Sequence, residues 1–158
     1  TGTYLGDCAD YVKDCFDSVY SVELSSELWA RSSRRLSAHS NVQILCGDSI
    51  KLLPKILDSV SCPALFFLDA HGSGGITKMT DKVPPIIDEL GIVLKHSLAN
   101  GLEHLILIDD ARDFTGAGYP MVDEIAEFVS SIRKDWTFRV KHDVIHVSSR
   151  KVLDVILP

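Results

Sequence analysis

Acidic side chains recur where short apolar runs stop. Val22 is followed by Glu23, Cys46 by Gly47-Asp48, Leu68 by Asp69, and Ile108 by Asp109-Asp110. If these runs are parallel strands, the carboxylates share one rim at the strand carboxyl ends, where open α/β sheets bind ligands. A single acid at such a place most often caps the next helix, and Asp48 before Ser49 fits that role best. A series of four strand ends asks for more. Clustered carboxylates repel one another, so the rim needs a cation or a hydroxyl-rich ligand to offset the repulsion.

A second feature is the opening Gly2-Thr3-Tyr4-Leu5-Gly6. A GxxxG loop lets backbone N–H groups approach a ligand closely. It is not GxGxxG, so the pyrophosphate-binding dinucleotide fingerprint is not met. Glu23 lies seventeen residues after Gly6, near the roughly 20-residue offset at which a strand-end acid grips ribose hydroxyls. A carboxylate suits that work because it accepts two hydrogen bonds from a vicinal diol.

The elements that must position these groups follow from periodicity. Apolar, β-branched and aromatic runs over 18–22, 42–46, 64–68 and 104–108 predict buried strands. Runs over 137–141 and 144–148 flank His142-Asp143 and predict a closing antiparallel hairpin. Between them, Cys8, Tyr11, Val12, Cys15 and Phe16 repeat at helical spacing, which puts both cysteines in packing. Ser25 or Ser26 caps a helix through Leu28, Trp29, Ser32 and Leu36. Ile50, Leu53 and Leu57 mark a third, with Pro54 a kink or a late start. Pro84-Pro85 opens a fourth with Ile86, Ile87, Leu90, Val93 and Leu94 buried, and Met121, Ile125, Phe128, Val129 and Ile132 mark a fifth. Alternating strands and helices predict βαβ units in one α/β domain spanning 1–158, with helices on both faces of the sheet.

Composition bounds the function. The chain of 158 residues is 46% hydrophobic and carries a net charge of −6. That balance disfavours a nucleic-acid partner and an anionic membrane surface. No apolar run reaches the roughly 18 residues of a membrane span. Four scattered cysteines without a CxxC pair argue against a zinc site or a disulfide framework. A reducing, cytoplasmic setting is expected.

Taken in order, the glycine loop, the acid in Tyr20-Ser21-Val22-Glu23, Gly47-Asp48-Ser49, Phe67-Leu68-Asp69-Ala70-His71 and Ile108-Asp109-Asp110 resemble the class I S-adenosylmethionine-dependent methyltransferases. The resemblance covers nearly the whole chain. It implies a three-layer Rossmann-like sandwich, mostly parallel, closed by the antiparallel hairpin. It also implies a cofactor, S-adenosylmethionine. Gly2, Thr3, Tyr4 and Gly6 would hold its methionine part, Glu23 its ribose, and Asp48 with Ser49 its adenine side; Asp69 borders the same pocket.

Asp69 with Asp109-Asp110, forty positions on, resembles the metal triad of the divalent-cation-dependent O-methyltransferases. Three carboxylates and waters suit Mg²⁺, and such a cation would lower the pKa of an acceptor hydroxyl on a small molecule. Two departures stand out. The first, central strand of that fold should precede Gly2, and the chain opens at Thr1 without one. Either the chain is a fragment or something else fills that place. The lysine base of the catechol-type enzymes is also missing: Gly72-Ser73-Gly74-Gly75 follow His71, and the first lysine is Lys78. His71 is the substitute base, or Asp69 itself. The glycine-rich stretch 72–80 is read as a lid or a plain loop, and Arg112 and Tyr119 as substrate contacts or surface residues. Two rivals remain: a non-catalytic binding module on this fold, and a Mg²⁺-dependent phosphoryl-transfer protein using Asp69, Asp109 and Asp110.

Overall fold

The computed structural model describes residues 1–69 and 85–157. In chain order these form α1 (Asp7–Val12), β1 (Val19–Glu23), α2 (Ser26–Leu36), β2 (Val42–Cys46), α3 (Ser49–Leu57), β3 (Leu65–Leu68), α4 (Ile86–Asn100), β4 (Leu105–Ile108), α5 (Val122–Ile132), β5 (Trp136–Lys141), β6 (Val144–Ser149) and α6 (Arg150–Ile156). A 3₁₀ turn occupies Ala111–Asp113. Every expected strand is present, with ends moved by one residue at most.

β1 pairs parallel with β2, and β3 parallel with β4. β6 pairs antiparallel with both β4 and β5. The hydrogen-bonded order is β2-β1 in one piece and β3-β4-β6-β5 in the other. The two-residue turn His142-Asp143 closes the hairpin with φ of 53° and 63°, the left-handed pair that a type I′ turn requires.

The path from β1 to β2 runs outward, and the path from β2 to β3 runs back past β1. Right-handed crossovers then put α2 and α3 on opposite faces of the sheet. The packing agrees: α2 lies on β1 and β2, whereas α3 packs on α4 and α4 on α5. Gly91 permits the last approach, since a Cβ there would stand 3.1 Å from Phe128 Cζ. The main core joins Leu68, Ile106, Ile108, Ile145 and Val147 of the sheet to Leu90, Val93 and Leu94 of α4 and Ile125 and Val129 of α5.

Three expectations need correction. Cys8 and Cys15 are exposed: Cys15 lies beyond the end of α1 at Val12, and Cys8 lines the open cavity beside Thr1 and Val22. α3 runs unbroken through Pro54 from its cap at Asp48, so Pro54 does not delay the helix. α6 follows β6 directly, started by Ser149, whose hydroxyl accepts from Val152 N. The sequence reading missed it because seven residues with one buried position, Leu153, carry almost no periodicity. Pro84 lies outside the described residues, and α4 begins after Pro85.

Candidate functional site

The crossover direction reverses between β1 and β3, which is the place where open α/β sheets form a ligand crevice. The N-terminal segment lies across it. The Thr1 amine donates to Phe67 O at 2.6 Å, and Gly2 N and Thr3 N donate to Val22 O at 3.1 and 3.2 Å. Residues 1–3 thus tie the carboxyl ends of β1 and β3 together. The buried Thr3 adds a hydroxyl contact to Ser21 Oγ at 2.7 Å. Gly6 ends the loop at φ +85°, where a Cβ would come within 3.2 Å of Leu36 Cδ1 and 3.3 Å of Ser32 Cβ. The loop therefore sits directly on α2, where the positive φ favours glycine and a side chain would make Leu36 and Ser32 give way.

Glu23 is the best-positioned acid. It is 7% exposed. Its Oε2 accepts from Tyr4 N at 2.8 Å and its Oε1 from Ser25 N at 2.8 Å. One backbone N–H per oxygen fixes the carboxylate plane and leaves a second lone pair on each oxygen. Glycine loop and strand-end acid form one unit.

Asp48 does what a strand-end acid most often does. Its Oδ1 caps α3 by accepting from Ile50 N at 3.0 Å, and Lys51 lies 3.7 Å from Oδ2. Ser49 is buried beside Glu89. Glu89 itself is fully buried on α4, and its Oε2 accepts from the Thr1 hydroxyl at 3.2 Å. Burial pushes its carboxyl upward, against the neighbouring hydroxyls of Ser49 and Thr1 and the nearby N-terminal charge. Burial likewise pulls the Thr1 amine down, against the attraction of Glu89 and Asp69. Sequence reasoning missed Glu89, since an acid on a buried helical stripe leaves no pattern that separates it from a solvated one.

Asp69 stands one residue past β3 and its N–H donates to Thr1 Oγ1 at 3.3 Å. Across β4, Asp110 adopts φ 54° and donates its N–H to Asp109 Oδ1 at 2.9 Å. A guanidinium neutralises it: Arg112 Nη2 lies 2.5 Å from Asp110 Oδ1 and also pairs with Asp143 in the hairpin turn. Arg112 is therefore engaged within the fold. Tyr119 leans on Phe114 at 5.3 Å between centroids, and its hydroxyl is raised by burial and by Asp113, Asp110 and Asp69. Asp69, Asp110 and Tyr119 thus share one neighbourhood.

Among the described residues no group of three or more His, Cys, Asp or Glu is disposed to hold a metal ion. Asp110 has a cationic partner in Arg112 instead. His71 and the glycine-rich stretch 72–80 lie outside the described residues.

At the opposite end of the sheet, two histidines to which the sequence assigned nothing meet. His104 is fully buried, and its Nδ1 accepts from Ala64 N at 3.1 Å. The ring proton therefore sits on Nε2, 3.0 Å from His96 Nδ1. Burial, His96 and Arg133 bring its pKa down to about 4.

No family model matches the chain, and no curated protein matches it in sequence. Solved structures do match it in fold. An rRNA methylase from Streptococcus thermophilus superposes with a TM-score of 0.54 at 15% identity, covering 93% of this chain and 82% of that one. An SAH-bound methyltransferase from Podospora anserina gives 0.56 at 17% identity, covering 94% and 68%. The fibrillarin pre-rRNA processing protein from Methanococcus jannaschii gives 0.56 at 18%, covering 94% and 63%. Strand order, reversal point and neighbours agree: this chain has the Rossmann-like fold of the class I S-adenosylmethionine-dependent methyltransferases.

Proposed function

We propose that this domain is an S-adenosylmethionine-dependent methyltransferase acting on a hydroxyl group of a small molecule. The observation that carries the reading is Glu23: a strand-end carboxylate at the crossover reversal, oriented by Tyr4 N and Ser25 N, with one lone pair on each oxygen left for a vicinal diol. Bound there, the cofactor supplies an electrophilic methyl group on a sulfonium. The chain's own residues do the rest. Gly2, Thr3, Tyr4 and Gly6 shape the loop beside the methionine part. Asp48 and Ser49 stand at the end of β2, on the adenine side.

Asp69, at the end of β3, is the residue we assign to take the acceptor's proton, together with His71 from the adjoining segment. Displacement at a methyl group needs a deprotonated oxygen in line with its donor, so holding that proton and fixing the alignment supply the rate. No step is routed through a divalent cation at Asp69, Asp109 and Asp110.

Two of the structural neighbours are an rRNA methylase and a pre-rRNA processing protein, which makes RNA the rival acceptor. The net charge of −6 favours a small molecule, since a polyanion would be repelled. Calorimetry with S-adenosylhomocysteine tests the cofactor; radiolabelled methyl transfer to a panel of hydroxylated metabolites, with structured RNA as the second arm, tests the acceptor. Absence of S-adenosylhomocysteine binding overturns the proposal, and transfer to RNA alone replaces the acceptor.

A further inference from the structure

One buried acid has no part in holding the cofactor or in taking the acceptor's proton. Glu89 lies in the first turn of α4 with none of its surface exposed. Ile86, Leu90 and Val93, on the same stripe of the helix, are buried and apolar. An apolar residue at 89 would continue that stripe. The carboxyl instead takes a hydrogen bond from the Thr1 hydroxyl on Oε2, while Oε1 has no hydrogen-bond partner among the described residues. Burying a carboxyl so poorly satisfied costs stability. Replacing such a group by a hydrophobe of similar volume is often neutral or stabilising. A polar group held against that gradient points to function rather than to folding.

The contact leads to Asp69. β3 leaves its ladder with β4 at Leu68, whose carbonyl accepts from Asp109 N. The next N–H, that of Asp69, donates to Thr1 Oγ1 at 3.3 Å. The same oxygen gives its own proton to Glu89 Oε2 at 3.2 Å. A threonine hydroxyl has one proton and two lone pairs, and the proton rotates to suit its partner. Committing that proton to Glu89 fixes the rotation and leaves a lone pair for the Asp69 N–H, and a hydroxyl that donates also accepts more strongly. Only the side chain of Thr1 takes part. The main chain entering Asp69 is thus held twice, at Leu68 O by β4 and at Asp69 N by the Thr1–Glu89 link.

We propose that Glu89 is a positioning residue for Asp69: through the Thr1 hydroxyl it fixes the main chain at the end of β3, and with it the carboxylate assigned to take the acceptor's proton. The catalytic half of this statement rests on the methyltransferase reading; the positioning half does not. Burial raises the Glu89 carboxyl, so Glu89→Gln resembles its neutral form and keeps an acceptor for Thr1.

The test uses Glu89→Leu, Glu89→Gln, Thr1→Val and the double variant Glu89→Leu/Thr1→Val. Amide exchange is read at Asp69, with Ile106 and Leu107 of β4 as internal references, beside the thermal midpoint and a titration with S-adenosylhomocysteine. Glu89→Leu and Thr1→Val are each expected to speed exchange at Asp69 by about threefold to tenfold. The double variant should do no more than the larger single change, since both break one chain of bonds. Glu89→Gln should keep the parent's rate. The midpoint of Glu89→Leu should equal or exceed the parent's, which a merely structural carboxyl would not allow. With an acceptor in hand, Glu89→Leu should lower kcat by about tenfold or more at unchanged KM for the cofactor. Unchanged exchange at Asp69 in both single variants overturns the proposal, and so do additive effects in the double variant. A fall in the Glu89→Leu midpoint with faster exchange at the reference amides overturns it as well. Should Glu89→Leu not fold, Thr1→Val and Glu89→Gln decide by the same exchange readout. Absence of S-adenosylhomocysteine binding by the parent, with the exchange pattern as expected, overturns the methyltransferase reading alone.

Discussion

The backbone N–H of Tyr4 lies 2.8 Å from Oε2 of Glu23, so the glycine loop and the strand-end acid are coupled through one hydrogen bond. Tyr4 holds φ at 51° to make it, a left-handed conformation that costs a non-glycine residue roughly 1–2 kcal/mol. The carboxylate repays that cost by giving a charged acceptor to two backbone donors, one of them, Ser25 N, buried. Loop shape and acid orientation are consequently one property, and a change to either acts on both.

Replacing Glu23 with Gln removes the charge and one of the two acceptors. Hydrogen bonds to charged groups contribute about 1.5–3 kcal/mol, so the affinity for S-adenosylhomocysteine should fall by at least about tenfold, with a lower thermal midpoint. Calorimetry and a thermal scan on the same sample separate the two effects. Unchanged affinity would remove Glu23 from the cofactor site.

Gly6→Ala puts a Cβ against Leu36 and Ser32 at positive φ. Destabilisation of about 1–3 kcal/mol is expected from the left-handed backbone and the contact together. In a domain of this size that is a drop of about 3–10 °C in Tm. Wild-type stability in Gly6→Ala would show that the loop relaxes away from α2.

Stability should fall with pH below neutrality because of His104. Its folded pKa, about 4, lies below the unfolded value of roughly 6.5, so the unfolded chain binds the proton first. The contribution is complete above pH 6.5 and is lost progressively as pH falls through 6.5 towards 4, amounting to the order of 2 kcal/mol. Urea unfolding at pH 7.5 and pH 5 measures it. His104→Asn, which keeps an acceptor for Ala64 N, should flatten this dependence.

At the far rim, Asp110→Ala should destabilise by about 1 kcal/mol because alanine tolerates φ 54° poorly. Asp110→Gly should recover most of that loss. Arg112→Ala, which removes pairs whose arginine is largely exposed, should cost under about 1 kcal/mol. Thermal midpoints of the three variants rank the terms; a larger loss in Arg112→Ala than in Asp110→Ala would make the ion pairs the dominant restraint.

Removal of divalent ions should leave cofactor binding untouched. Dialysis against EDTA followed by calorimetry with S-adenosylhomocysteine is the check, together with methyl transfer once an acceptor is found. Loss of transfer that Mg²⁺ restores would return Asp69, Asp109 and Asp110 to a metal-binding role.

Strands, their order along the chain and the acids at their ends were legible in the amino-acid sequence, because buried strands are short apolar runs and an acid after such a run is visible without any fold. The glycine loop and the strand-end acid Glu23 were legible as motif and spacing, whereas the hydrogen bond that joins them was not. Two cysteines were misjudged: Cys15 because the helical periodicity continues past Val12, where α1 stops, and Cys8 because the open cavity it lines is made by distant segments. Glu89, the His96–His104 contact and the Arg112–Asp143 pair had no local signature at all, since each joins residues far apart in the chain.

Local patterning alone determined that this is an α/β chain with acids at the carboxyl ends of its strands, since hydrophobic period and strand termini are properties of neighbouring residues. Only the tertiary structure decided which acids do the same work. It gave Glu23 to the glycine loop and Asp110 to a guanidinium, while the helix cap at Asp48 was already legible, because a carboxylate's long-range role depends on the donors that folding brings within about 3 Å. It also decided that β1 and β3 line a shared cavity, a relation between strands that only their spatial arrangement creates.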